Sequence, residues 1–131
     1  MKLGYFTMPL HPPSRNYAQT LKEDREAIIL ADRLGFTEAY VGEHVTDTAE
    51  TITDCSVFLA SLAPATKNIK LCTGTVNLPN GHPAAIASKV AMLDNLLEGR
   101  LIFGISPGGL PSDWAIFGHP GAARTEMFVE C

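Results

Sequence analysis

Four apolar, strand-like runs begin near positions 3, 38, 69 and 101, about thirty residues apart, and that spacing admits very few folds. It is the period of a strand followed by a helix, and right-handed crossovers make successive strands parallel. The runs are Leu3 to Phe6, Glu38 to Gly42, Ile69 to Val76 and Leu101 to Ile105. Between them the apolar period turns helical. From Tyr17 to Leu34, residues Leu21, Ile28, Ala31 and Leu34 share one face, with Gly35 just beyond. A second helix near Thr53 to Leu62 stops before Pro64, which cannot continue it cheaply. A third opens with Pro83, carries the stripe Ile86, Val90, Leu93 and Leu97, and stops at Gly99. Ala122 to Cys131 starts another helix, and the stretch that carries His119 reads as a long loop.

Two parallel folds compete for this pattern, an open doubly wound sheet and a (β/α)8 barrel. A complete barrel needs roughly 250 residues, and 131 residues hold half of one. The expectation is therefore an α/β chain whose parallel (β/α) units form the N-terminal half of a TIM (β/α)8 barrel. Residues 1–131 form one unit that ends in the helix after the fourth strand. Such a half leaves unpaired edges at the first and fourth strands. Tyr5, Val41, Leu71 and Phe103 are expected on its inward face without an opposing layer, a driving force for self-association into a homo-oligomer.

A formal net charge of −4 with no basic run argues against nucleic acid or an anionic membrane as partner. The opening segment lacks a sustained apolar core and breaks at Pro9, and no stretch reaches the ~20 apolar residues of a membrane span, so a cytoplasmic location is expected. Cys55, Cys72 and Cys131 show no paired spacing, and Cys72, within an apolar strand, reads as inert packing.

In parallel α/β folds chemistry collects beyond the C-terminal ends of the strands, and all four histidines fall there or in the loops that follow. His44 stands just past the second strand. It suits general acid/base work or a hydrogen bond to a bound ring, or else a ring satisfied by neighbouring backbone. His82-Pro83 opens a helix and reads as structural, while His11 and His119 read as loop residues. Thr73 to Asn77 places small and polar side chains at the end of the third strand. There Gly74 either lets a flat ligand approach or marks a bulge. The run Ser106-Pro107-Gly108-Gly109 offers a small-residue loop whose glycine N–H groups could meet an anion, although GxGxxG and GxxxxGK[ST] are absent. The metal patterns HxH and HExxH and the nucleophile pattern GxSxG are absent too.

The segments KLGYFTMP, GFTEAYVGEH at 35–44, TGTVNLPNGHP at 73–83 and AMLDNLLEGRLIFGISPGG at 91–109 resemble the bacterial luciferase-like, flavin-dependent monooxygenases. MPLHPP, VGEH and ISPGGLPSDW resemble the limonene and alkane monooxygenase-like branch. The resemblance implies a barrel that binds FMN, or in some branches a deazaflavin, at its C-terminal mouth, with reduced flavin supplied by a separate flavin reductase. Reaction with O2 would give a flavin hydroperoxide that oxygenates a small organic substrate. His44 matches the active-site histidine. Gly74-Thr75 falls where members carry a non-prolyl cis peptide behind the flavin ring, with Asn77 at the same strand end. Ser106 takes the place of a reactive cysteine beside the flavin, and Asp113 matches an acidic residue near it. Pro107 stands where some members carry an arginine near the cofactor phosphate. Two other readings stay open: a non-catalytic flavin-binding or self-associating module, and a deazaflavin-dependent oxidoreductase. By itself the chain is expected to bind FMN weakly.

Overall fold

The computed structural model describes residues 1–119 and 121–131, with the backbone alone at Ala122. The strands are β1 (Gly4–Thr7), β2 (Glu38–Val41), β3 (Lys70–Thr73), β4 (Val76–Asn77), β5 (Leu101–Ile102) and β6 (Ile105–Ser106). The helices are α1 (Tyr17–Arg33), α2 (Cys55–Ala60), α3 (Pro83–Leu96), α4 (Pro111–Ile116) and α5 (Arg124–Glu130). β1, β2, β3 and β5 form one parallel sheet in chain order. A doubly wound sheet reverses its order at a switch point; this one steps always to the same side, as barrel strands do.

The helices pack on one face of that sheet. Ile28 and Ala31 of α1, Phe58 and Leu59 of α2, and Leu93 with Leu97 at the end of α3 meet Ala39, Val41 and Leu71 in a single core. Each large side chain fully buried there stabilises the fold by about 1.5–3 kcal/mol. Leu34, expected on the buried face of α1, is instead exposed at the helix cap. The helix starts follow from their caps: Asn16 accepts from Gln19 N at 3.0 Å, Asp54 from Val57 N at 3.1 Å and His82 Nδ1 from Ala84 N at 3.2 Å. His82 is thus structural, as expected.

The inward face differs from expectation by one residue. Tyr5, Val41 and Leu71 belong to the helix-side core, and Phe103 lines a cleft with Ala87, Val90 and Leu101 on that same side. The residues in register on the opposite face are Phe6, Tyr40, Cys72 and Ile102. Phe6 is 63% exposed there. In a strand apolar on both faces the pattern does not reveal which parity points inward.

The third and fourth strand runs are each broken in two. The ladder is interrupted at Gly74-Thr75, whose peptide is cis, and resumes where β4 pairs with β6. Thr73 bridges the gap, its hydroxyl donating to Gly104 O and accepting from Gly104 N, both at 2.8 Å. The expected long loop after the fourth strand contains α4, a helix begun by Pro111 at its first position.

At the other end of the sheet, Asp32 on α1 accepts from the N–H groups of Lys67, Asn68 and Ile69 at 2.9, 2.9 and 2.8 Å. Burial works to raise its pKa, but these donors and the charge of Arg100 outweigh it and hold the carboxyl below its ordinary value. A depressed carboxyl pKa contributes stability that is present above the unfolded-state value and lost as pH falls through the folded one. Asp32→Ala is therefore expected to cost about 1–3 kcal/mol in urea unfolding at neutral pH. The deficit should shrink in acid, where the wild-type carboxylate is itself protonated.

Candidate active site

The parallel strands deliver His44, Thr75, Asn77 and Ser106 to the same, C-terminal end of the sheet, as expected. Adjacent residues at the end of β2 face opposite ways. Glu43 turns toward the helices, where its carboxylate accepts from Cys55 N at 3.0 Å and from Asn77 N at 3.2 Å. His44 turns the other way, its backbone N–H bonded to Ile52 O at 3.1 Å. Its Nδ1 lies 3.1 Å from Asp113 Oδ2.

Asp113, in the first turn of α4, is only 2% exposed. Its Oδ1 accepts from the N–H groups of Val45 and Thr46 at 3.2 and 2.9 Å, and from the Thr46 hydroxyl at 2.6 Å. Burial works to raise the Asp113 pKa, but the bonds from Thr46, His44 and Val45 outweigh it and hold the carboxyl below its ordinary value. An ionised carboxylate only accepts, so Nδ1 of His44 carries the proton and Nε2 is the nitrogen free for exchange. The resemblance set Asp113 beside a flavin. The side chain lies beneath the loop after β2 with both oxygens engaged, and it orients His44.

The residues at the ends of the third and fourth strand runs form a relay. Thr75 donates to Ser106 Oγ at 2.6 Å, Ser106 donates to Asn77 Oδ1 at 2.8 Å, and Gly108 N–H donates to Ser106 Oγ at 3.1 Å. Ser106 spends its single proton on Asn77, so it serves as a junction between the two strand ends. Gly74 lies against β2: a Cβ there would come 3.2 Å from Tyr40 Cβ and 3.4 Å from Val41 N. A side chain at 74 would push into the inner face. Cys72, on that face, is buried, and burial pushes its thiol up to about 11, in keeping with inert packing. His11 bonds Asp24 through Nε2 at 3.0 Å, and His119 stacks on Phe117.

One feature escaped sequence reasoning. Arg124, in the first turn of α5, is 3% exposed, and its Nε, Nη1 and Nη2 have no hydrogen-bond partner among the described residues. Its Cζ sits 4.8 Å from the ring centroid of Trp114, whose buried indole N–H is also unpartnered. Gly108 adopts φ +80°, and a Cβ there would collide with Arg124 Nη2 and crowd the Asn77 side chain. Four buried donor atoms of this pair thus have no acceptor among the described residues, and one of them, Arg124 Nη2, lies against the small-residue loop at Gly108. Groups of this kind are costly unless an anion meets them. Nothing local in the sequence marks Arg124, a single cation in a short helix. The Pro111-Ser112-Asp113 start of α4, by contrast, carried a legible helix signal.

Because Asp113 is held as a carboxylate by the 44–46 segment, its contribution is present above its unfolded pKa and lost as pH falls through the folded value. The protection of the Val45 and Thr46 amides, measured against the intrinsic exchange rate at each pH, should fall in acid. In Asp113→Asn the two amides should exchange faster at neutral pH as well; unchanged protection there would refute the tether.

The luciferase-like monooxygenase family model matches residues 1–131. Limonene 1,2-monooxygenase of Rhodococcus erythropolis is 37% identical over 125 residues, which is 95% of this chain and 32% of that protein. 2,5-Diketocamphane 1,2-monooxygenase 1 of Pseudomonas putida is 33% identical over 130 residues, 98% of this chain and 36% of that protein. A solved type II Baeyer–Villiger monooxygenase is also similar, the oxygenating constituent of 3,6-diketocamphane monooxygenase from Pseudomonas putida in complex with FMN. It superposes with a TM-score of 0.94 at 30% identity, over 99% of this chain and 37% of that one. The chain spans about a third of the length of the curated relatives it matches. With a family match from end to end, the chain belongs to the luciferase-like monooxygenases.

Proposed function

We propose that this chain is part of an FMN-dependent monooxygenase acting on a small organic substrate, with His44 as the group that moves a proton. The observation that carries the reading is the Arg124–Trp114 donor set, of which Arg124 lies beside Gly108 and Asn77 at the strand ends; among the described residues it makes no hydrogen bond, and Asp113 acts on Arg124 through its charge alone. An FMN phosphate fits it in charge and donor chemistry. The similar structure in complex with FMN supports the choice of flavin, and no observation favours the deazaflavin alternative.

In this reading Arg124 holds the phosphate, in place of the arginine lacking at Pro107. Gly74, Thr75, Asn77 and Ser106 present a flat, small-residue wall to the ring, and the hydrogen bonds from Thr75 through Ser106 to Asn77 hold its three polar members together. Reduced FMN, when bound, supplies the two electrons with which O2 puts one oxygen atom into the substrate and releases the other as water. His44, with its tautomer set by Asp113, gives or takes the proton at Nε2. A flavin reductase as source of reduced cofactor, a cytoplasmic setting and a homo-oligomeric state complete the proposal. Among the described residues no helix is long and apolar enough to cross a membrane.

A second reading, a non-catalytic flavin-binding or self-associating module, is favoured by the 63% exposure of Phe6 on the inner face and by the edge positions of β1 and β5. Sedimentation of the purified chain over a concentration series addresses it. A compact monomer at micromolar concentration would remove the case for self-association.

Two outcomes follow from the leading reading. Titrated with FMN and with riboflavin, the chain should bind weakly but prefer FMN, and Arg124→Met should abolish the preference. Equal binding of the two flavins by the wild type would defeat the phosphate assignment. In a protein carrying this segment within a complete barrel, His44→Ala should lower turnover at saturating reduced flavin by about 10²–10⁴-fold, with a smaller change in flavin affinity. Undiminished turnover would make His44 structural.

A further inference from the structure

We propose that Glu50 is the proton partner of His44, exchanging a proton with Nε2 on the side of the ring opposite Asp113. The inference rests on His44 being the proton-handling residue of the proposed site, but it concerns contacts that exist without flavin. The imidazole lies between two carboxylates, Asp113 Oδ2 at 3.1 Å from Nδ1 and Glu50 Oε2 at 3.8 Å from Nε2.

The two carboxylates are unlike. The Asp113 side chain is 3% exposed and its oxygens collect bonds from Val45, Thr46 and His44, so it orients the ring and has no route to solvent. The side chains of His44 and Glu50 are each 15% exposed, so a proton that reaches Glu50 can leave. Among the described residues His44 is the one basic side chain within 4 Å of the Glu50 carboxylate. The separation exceeds a hydrogen bond, and a small rotation of a carboxylate on its flexible stem closes it.

The position of Glu50 is set by chain pairing. Its backbone forms an antiparallel bridge with Leu10, and His11 N–H donates to Ala49 O at 2.8 Å. The loop after β1 thereby holds Glu50 across the strand ends from α4. The titratable groups around it are His44, Asp47 and Asp113, with the His11–Asp24 pair beside the bridging residue Leu10. Burial raises the Glu50 pKa above its ordinary value, Asp47 and Asp113 add to the rise, and His44 opposes it. A carboxyl raised in this way is better matched to imidazole for proton exchange.

The transfer balances without any redox partner. From imidazolium, the Nε2–H bond breaks and an O–H bond forms on Glu50. This leaves neutral imidazole protonated at Nδ1 and a neutral carboxylic acid; the return step reverses both. Glu50 touches neither cofactor nor substrate in this scheme. It is a positioning and relay residue acting through His44.

The test follows the Glu50 side-chain carboxyl by ¹³C NMR across pH in the flavin-free chain, wild type against His44→Gln. Removing the imidazolium should shift the Glu50 midpoint upward. Glu50→Gln, which keeps the side-chain shape and the Leu10 bridge, should displace the His44 ¹⁵Nε2 resonance, and Glu50→Asp should restore it in part. Protection of the His11 amide reports whether each variant keeps its fold. An unmoved Glu50 midpoint in folded His44→Gln, or a wild-type Nε2 signal in folded Glu50→Gln, overturns the relay. Should one variant fail to fold, the other decides. FMN titration of the wild type separates the two levels of argument. Coupling without FMN binding would sink the flavin reading and leave the pair standing, and FMN binding without coupling would do the reverse.

Discussion

The buried Asp113 carboxylate is the joint on which the site depends. It lies in the first turn of α4, yet its oxygens are satisfied by the loop after β2, through Val45, Thr46 and His44. Placing a carboxylate where it is only 2% exposed is unfavourable unless several donors converge on it, because it leaves water with nothing else in compensation. The convergence fixes three things together: the path of residues 44–46, the position of α4 over the sheet, and the tautomer of His44. With the first turn of α4 set, Trp114 is placed as well, and Arg124 from α5 stacks upon it.

Opposite facing of neighbouring residues divides the labour at the strand ends. Glu43 and His44 are adjacent, and at the end of β2 they serve different layers. Glu43 ties the start of α2 to β4 through Cys55 N and Asn77 N, so it positions Asn77 without entering the site. His44 faces the mouth. The relay runs from Thr75 through Ser106 to Asn77 and ties the ends of the third and fourth strand runs together. The Arg124–Trp114 donors are the contrasting case, buried and unsatisfied.

The sheet explains why a chain about a third as long as its relatives still folds recognisably. Successive barrel strands pair with their sequence neighbours, so β1, β2, β3 and β5 form their ladders locally, and the helix-side core around Ile28, Leu59 and Leu71 is complete within the chain. The inner face is another matter. Phe6 is largely exposed there, whereas Cys72 on the same face is buried. The outer layer is built by these units themselves, while a barrel interior is filled by strands from all around the ring.

Periodicity and punctuation in the sequence alone determined the number and order of the βα units, the opening of a helix at His82-Pro83, the stripe ending in Leu93 and Leu97, and the end of the sheet at which chemistry collects. These are local properties, written by the 3.6-residue and two-residue periods and by proline and glycine. The parity of the inward face was beyond that reach. Tyr5, Val41 and Leu71 pack under the helices, and an all-apolar strand looks the same from either side. Only the tertiary structure brought Asp113 to His44 across 69 residues of chain, placed Glu50 beside Nε2 through a bridge from Leu10, and left the buried Arg124 guanidinium with no hydrogen-bond partner among the described residues. His44–Asp113 joins the loop after β2 to α4, and the Leu10–Glu50 bridge joins that loop to the one after β1. Their meeting is set by how the helices dock on the sheet, which no window along the chain contains.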